Sequence, residues 1–327
     1  MAAVIPGASD GDGPRGDRRF RDADRGQLLL ISGLVVAVSL VALVVLLNAS
    51  IYSENVATRG IEAADGEALE VRAAAVEETG KLIDGTNRNR PANHSEATAA
   101  VEEGIADLDE YLARAYADRG GVTRVSGDPS SIRAGRYVTG NLTANGTGDA
   151  NATLAAGVNR TRGFVLEVDS TNLSSTDASG APDDAFYIEF DDGVNETREV
   201  YVYNGTGDNV TVAVGQNGSA PTVVCSTPTA DRVAVDLTGG TLGDERCPGL
   251  WATSAGELGT PYDVTLERTD KANGTVTATV RPDSGDAVGS DLTSSPAVYD
   301  AEIDLRYRTA ELRFETTVRV APGEPDA

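Results

Sequence analysis

Between Leu28 and Leu47 the chain runs twenty residues without a charge, fifteen of them Leu, Ile or Val. At 1.5 Å per residue a helix of that length covers about 30 Å, the thickness of a bilayer's hydrocarbon layer. Each aliphatic residue gains roughly 0.3 to 0.6 kcal/mol on insertion, so the run gains about 6 kcal/mol and outweighs Ser32, Gly33 and Ser39. The sequence therefore predicts a membrane-spanning helix. Arg15, Arg18, Arg19, Arg21 and Arg25 precede it, whereas Arg59 is the only base between residues 48 and 70. That asymmetry keeps the short N-terminus in the cytoplasm and directs residues 48–327 outward. A cleaved secretory signal is the competing reading, but its apolar core is normally about 7 to 15 residues and ends at a small-x-small site.

Charge narrows the partners. The chain carries 51 acids against 27 bases, a net charge of −24, and its only lysines are Lys81 and Lys271. A binder of phosphate backbone needs a basic stripe, which the sequence lacks, so nucleic acid and anionic lipid surfaces are not expected partners. Self-repulsion on so acidic a surface fades at about 1 M salt, where the screening length is about 3 Å. The composition resembles that of salt-loving archaea, with an ordinary acidic secreted protein as the alternative.

The side-chain chemistry is sparse. One His (His94), two Cys and one Met leave little material for a metal centre or a nucleophile, and no metal, cofactor or catalytic residue is expected. No Gly-x-Ser-x-Gly or phosphate-cradling loop occurs. Carboxylate pairs exist at Asp183 and Asp184, at Asp191 and Asp192, and in the trio Asp300, Glu302 and Asp304. None has the spacing of an EF-hand, and on a strand the trio shares one face, read as solvated.

Directly against the apolar run stand Arg25, Gly26 and Gln27, behind an Arg- and Asp-rich leader. This junction resembles the class III signal peptide of archaeal type IV pilins and pilin-like proteins. The resemblance implies that a prepilin peptidase cuts between Gly26 and Gln27. The apolar helix then stays on the mature chain and packs against other pilin-like subunits, with Gly33 and Ala37 as a small-residue contact. Many pilins carry Glu at the fifth mature position, where this chain has Ile31, so the resemblance implies a minor or accessory subunit. Two other functional classes remain open: a permanently anchored envelope or adhesion glycoprotein with an uncut junction, and a membrane-tethered carboxylate hydrolase.

Beyond the apolar run, Ile61, Ala64, Ala68, Val71, Ala75 and Leu82 form a helical stripe that predicts a stalk ending near Gly80 and Gly85. A polar linker with Pro91 leads to a second stripe, Val101, Ile105, Leu108, Leu112 and Tyr116, with Ser95 as the expected N-cap and Gly120 and Gly121 as its stop. After residue 121, short runs rich in Val, Thr, Tyr and Phe predict strands, starting at Arg162–Asp169 and ending with a hairpin of Ala297–Tyr307 and Glu311–Val320 joined at Thr309 and Ala310. The expected fold class is α+β: an N-terminal transmembrane helix continuing as a helical stalk, a second helix, and a β-rich, antiparallel, sandwich-like head. The corresponding segments are leader 1–26, membrane helix 27–47, helices 48–120, head 121–320 and disordered tail 321–327.

Twelve of the fifteen Asn residues lie in Asn-x-Ser/Thr, where chance predicts about two. Asn48 adjoins the apolar run; the other eleven, Asn93, Asn141, Asn145, Asn151, Asn159, Asn172, Asn195, Asn204, Asn209, Asn217 and Asn273, are candidate glycosylation sites of an outward-facing domain. Asn-Gly-Thr turn chemistry is the competing account of Asn145, Asn204, Asn217 and Asn273. Cys225 and Cys247 are the expected disulfide, worth about 3 kcal/mol by loop closure. Trp251 is expected to pack beside that bridge, or else to serve as an exposed adhesive contact.

Overall fold

Alternating apolar and polar residues dominate the chain beyond residue 121, and the strands they form are longer and more continuous than the sequence runs suggest. The computed structural model of the protein describes residues 40, 43, 66–142, 151–194, 196–256, 258–283, 288–290 and 292–325. The Arg25-Gly26-Gln27 junction lies outside the described residues, as do Gly33 and Ala37, and so does the apolar run apart from Leu40 and Leu43.

Fourteen strands make one antiparallel sheet. In chain order they are β1 (Val122–Gly127), β2 (Arg133–Leu142), β3 (Ala152–Asp169), β4 (Phe186–Asp191), β5 (Thr197–Gly205), β6 (Asn209–Gln216), β7 (Thr222–Pro228), β8 (Arg232–Asp236), β9 (Thr241–Leu242), β10 (Glu245–Arg246), β11 (Tyr262–Glu267), β12 (Gly274–Pro282), β13 (Thr293–Arg308) and β14 (Arg313–Val320). Neighbours run β1-β13-β2-β12-β3-β11-β4-β5-β6-β7, with β14 on β13 and β8 on β3.

Two long strands organise everything else. On one edge of β3, residues 152–158 pair with β11 and residues 165–169 pair with β8. Gly163, at φ 56, allows the bend between these halves and donates its N–H to the Gly323 carbonyl. β13 is shared in the same way: Thr293–Asp300 pair with β2, and the remainder lies between β1 and β14. From β3 the sheet curls through β11, β4, β5 and β6 to β7, whose Thr227 lies against Gly243 in the β9–β10 turn. The curl encloses the larger core, in which Phe164, Leu166, Phe186, Ile188, Phe190, Val200 and Val235 are fully buried.

Helix α1 is described over residues 66–88, and α2 spans His94–Ala117. Asn93, rather than the expected Ser95, caps α2 by accepting the Glu96 N–H, and Glu96 returns the bond by accepting from Ala92 N. The predicted face of α2 is the buried one: Val101, Ile105, Leu108, Leu112 and Tyr116. From α1, Ala68, Val71, Ala75 and Ile83 join them against Ile303, Leu305 and Tyr307 of β13, forming a second core. Gly104 lets the helices approach closely, because a Cβ there would overlap Leu82.

These contacts correct the expected fold class. The described residues are mostly antiparallel β-sheet, 46% strand against 28% helix, and among them no helix is long and apolar enough to cross a membrane. Helix α1 continues through Gly80 and Gly85 to residue 88. Its apolar stripe is covered by the sheet, so residues 66–88 are a docked layer and not a stalk. The β-region is a single curled sheet carrying a helical pair, in place of a separate sandwich-like head. The terminal hairpin does form, with a four-residue connection in which Thr309 N donates to Leu312 O.

The C-terminal segment needs a second correction. Residues 321–325, expected as a disordered tail, are held by the Gly163–Gly323 bond and by a bond from Arg162 to the Pro322 carbonyl. Arg160, Arg319 and Tyr299 also bind the Glu324 carboxylate.

Candidate functional site

The bulge in β13 between Val298 and Asp300 turns backbone groups away from the ladder, and a buried polar cluster satisfies them. The Asn87 side-chain amide brackets Val298: its Nδ2 donates to the carbonyl and its Oδ1 accepts the N–H, both at 2.9 Å. Arg162, only 1% exposed, donates to the Tyr299 carbonyl at 2.7 Å, the Val298 carbonyl at 3.0 Å, the Pro322 carbonyl at 2.8 Å and Asp84 at 2.9 Å.

Asp300 is fully buried and accepts from Arg133 at 3.0 Å and from Arg319 at 2.7 and 2.8 Å. This corrects the solvated reading of the Asp300, Glu302 and Asp304 trio. The three do share a face, but at residue 300 that face is roofed by two guanidinium groups from β2 and β14. Glu302 pairs with Arg133, and Asp304 accepts from Thr317. Asp183 and Asp184 are exposed in the single helical turn Ala181–Asp184. Asp191 and Asp192 accept N–H groups of their own loop, from Gly193 and from Val194 and Glu196. The three sets of candidate carboxylates thus sit at separate places. Among the described residues no group of three His, Cys, Asp or Glu side chains converges to hold a metal ion.

Beside the polar cluster opens a cleft of about 1390 Å³, walled by the segment from Cys247 to Gly256, the loop after β8, the middle of β3 at Asn159–Thr161 and the C-terminal segment. Among its described lining residues are four arginines, Arg160, Arg246, Arg281 and Arg319, against one carboxylate, Glu324. In a chain of net charge −24 this is a local inversion of sign. Arg160 and Arg281 stand directly opposite each other in the β3–β12 ladder, an unfavourable like-charge pairing. Arg160 finds Glu324 at 3.3 Å, whereas Arg246 and Arg281 have no partner among the described residues.

Burial opposes the charge on Glu324, but the bonds from Arg319 and Tyr299 outweigh it and hold the carboxyl below its ordinary range. Burial, reinforced by the same carboxylate, pushes the Tyr299 phenol up, so Tyr299 remains a neutral donor. A carboxylate whose folded pKa is depressed stabilises the protein above its unfolded pKa, and that contribution disappears as the pH falls through the folded value. Acid titration is therefore expected to release the C-terminal segment below about pH 4, the unfolded carboxylate value. Amide exchange at Gly163, whose N–H donates to the Gly323 carbonyl, should rise there, and Glu324→Gln should remove the pH dependence while weakening docking at neutral pH.

Cys225 in β7 and Cys247 after β10 form a disulfide, Cα to Cα 5.7 Å. It joins the free edge of the curled sheet to the wall of the cleft. Trp251 is half-buried, meets Phe190 edge to face at 6.0 Å, and lines the same cleft. Sequence reasoning named the bridge and the tryptophan but missed the arginines around them. The available signal was Arg160 and Arg162 set within the apolar series Val158, Phe164, Leu166 and Val168.

The candidate glycosylation sites scatter over the surface. Asn93, Asn141, Asn151, Asn172 and Asn217 are exposed, and Asn159, Asn204, Asn209 and Asn273 are half-exposed; Asn145 and Asn195 lie outside the described residues. Asn204 uses its amide nitrogen to bond the Ser170 carbonyl at 2.6 Å, and Asn159 donates to Asp283 at the edge of the cleft.

Residues 22–172 match a family of unknown function, DUF7261. The match runs from the leader through the apolar run and both helices into β3, and ends before the disulfide and most of the cleft. No curated protein and no solved structure matches the chain.

Proposed function

We propose that the chain is an exported surface protein, tethered by its apolar segment 28–47, whose work is assembly and recognition rather than catalysis. Its closest functional type is a minor or accessory pilin-like subunit of an archaeal pilus-like, secretion or adhesion apparatus. The Cys225–Cys247 bridge is the observation that carries this reading. A disulfide persists in an oxidising compartment, and this one secures the sheet edge beside the arginine-lined cleft. The accessible sequons and the Arg-rich leader before the apolar run support the same outward topology.

N-terminal sequencing of the native protein, combined with protease shaving of intact cells, tests the proposal. A mature chain beginning at Gln27, with residues 66–325 cleavable from outside, is expected. An intact Arg25-Gly26 junction on a shaved protein would instead favour a permanently anchored envelope glycoprotein, and protection from external protease would remove both surface readings. Glycopeptide mass spectrometry gives a finer check. Occupancy is expected at Asn93, Asn141, Asn151, Asn172 and Asn217, and none at Asn204, whose nitrogen is engaged in the fold; a glycan on Asn204 with the others bare would contradict the assignment.

A further inference from the structure

We infer that the arginine-lined cleft binds an acidic saccharide, an oligomer carrying carboxylates at intervals. This goes beyond surface display and does not depend on how the chain is anchored.

Four features of the cleft select that ligand. First, guanidinium groups recognise carboxylates through paired N–H donors, and the cleft already contains an instance: Glu324 receives bonds from Arg160, Arg319 and Tyr299. Second, Arg281 faces Arg160 across the ladder, and both it and Arg246 lack a partner among the described residues. An anion placed there would relieve the like-charge pairing and complete the donors that Glu324 leaves unused. Third, at about 1390 Å³ the cleft exceeds the roughly 300 to 1,000 Å³ of a site for one small molecule, which suits a ligand several units long. Fourth, the same lining carries Trp251 with Thr241, the ladder partner of Arg246, and Gly249. A flat apolar ring suits the C–H face of a sugar, and the small residues leave room for its hydroxyls. A long polyanion such as nucleic acid would extend past the cleft onto a surface of net charge −24 and be repelled.

Trp251 is the only tryptophan in the chain, so the intrinsic indole emission of the full-length protein reports on this cleft alone. Titration with tetragalacturonate should give a saturable change in emission, and maltotetraose, its neutral counterpart, should give none. Arg246→Gln and Arg281→Gln should each weaken binding by about tenfold, the scale of one charge-assisted contact. Arg246 is exposed on a two-residue strand, so its variant keeps the wild-type circular dichroism and isolates binding from folding. Failure of tetragalacturonate to alter the emission would overturn the proposal. So would equal binding of maltotetraose, tighter binding of hexaglutamate or an oligothymidylate, or wild-type affinity in the double arginine variant. None of these outcomes touches the cleavage and shaving experiments, so the two proposals fail separately.

Discussion

Arg162→Met is expected to destabilise the protein by about 3–5 kcal/mol, the range for removing one partner from a buried charged cluster. The methionine fills much of the space but donates nothing. Two buried carbonyls, those of Val298 and Tyr299, and the partly buried one of Pro322 would then lose Arg162 as a donor, and Val298 would keep only Asn87, at a cost of about 1–3 kcal/mol for each group left unsatisfied. Relaxation of the bulge and entry of water reduce the sum to the stated range. Asp84 provides the control. Its side chain is about a third exposed, 35%, so Asp84→Asn should cost about 1 kcal/mol or less, as for a surface pair. Urea denaturation at high salt measures both. A loss below 1 kcal/mol for Arg162→Met would show that the bulge carbonyls find other donors.

The paired replacement Cys225→Ser and Cys247→Ser should cost about 3 kcal/mol, from release of the loop between residues 22 apart in sequence. The effect should be local before it is global. Among the described residues β7 pairs with β6 alone, so without the bridge its far edge and the cleft wall after Cys247 lose their tie. Hydrogen exchange should rise first in Thr222–Pro228 and in the cleft wall, while the α2 amides keep their protection. Uniform loss of protection in both cores would argue instead that the bridge holds the whole fold together.

The helices were legible because their apolar residues repeat at helical spacing and face a single partner. Val101 to Tyr116 is the clear case, with every predicted core position buried. Strands with bulky alternating residues, such as Phe186–Asp191 and Arg232–Asp236, were legible for the same reason. The first half of β3, β1 and β2 were not. Ala155, Ala156 and Gly157 have weak strand preference, and β2 carries Gly135 and Gly140 with no strict alternation; their partners β11, β12 and β13 lie far along the chain and supply what local preference lacks.

The docking of α1 onto the sheet was equally hidden, since an apolar stripe shows that a face is covered and leaves the cover unnamed. Of the candidate site, the bridge and Trp251 could be read, whereas Arg162 and Asp300 could not. Arginine and aspartate ordinarily mark solvent, and only the bulge in β13 explains why they are inside.

The division of β13 between two layers bears on the order in which the chain matures. Asn87 bonds Val298, 211 residues later, and the core of the helical pair, which takes Val125 from β1, is completed only by Ile303, Leu305 and Tyr307 of β13 and Val320 of β14. The helical pair, though early in the chain, therefore completes its core only when the last two strands have formed. Such dominance by distant pairings makes folding slow.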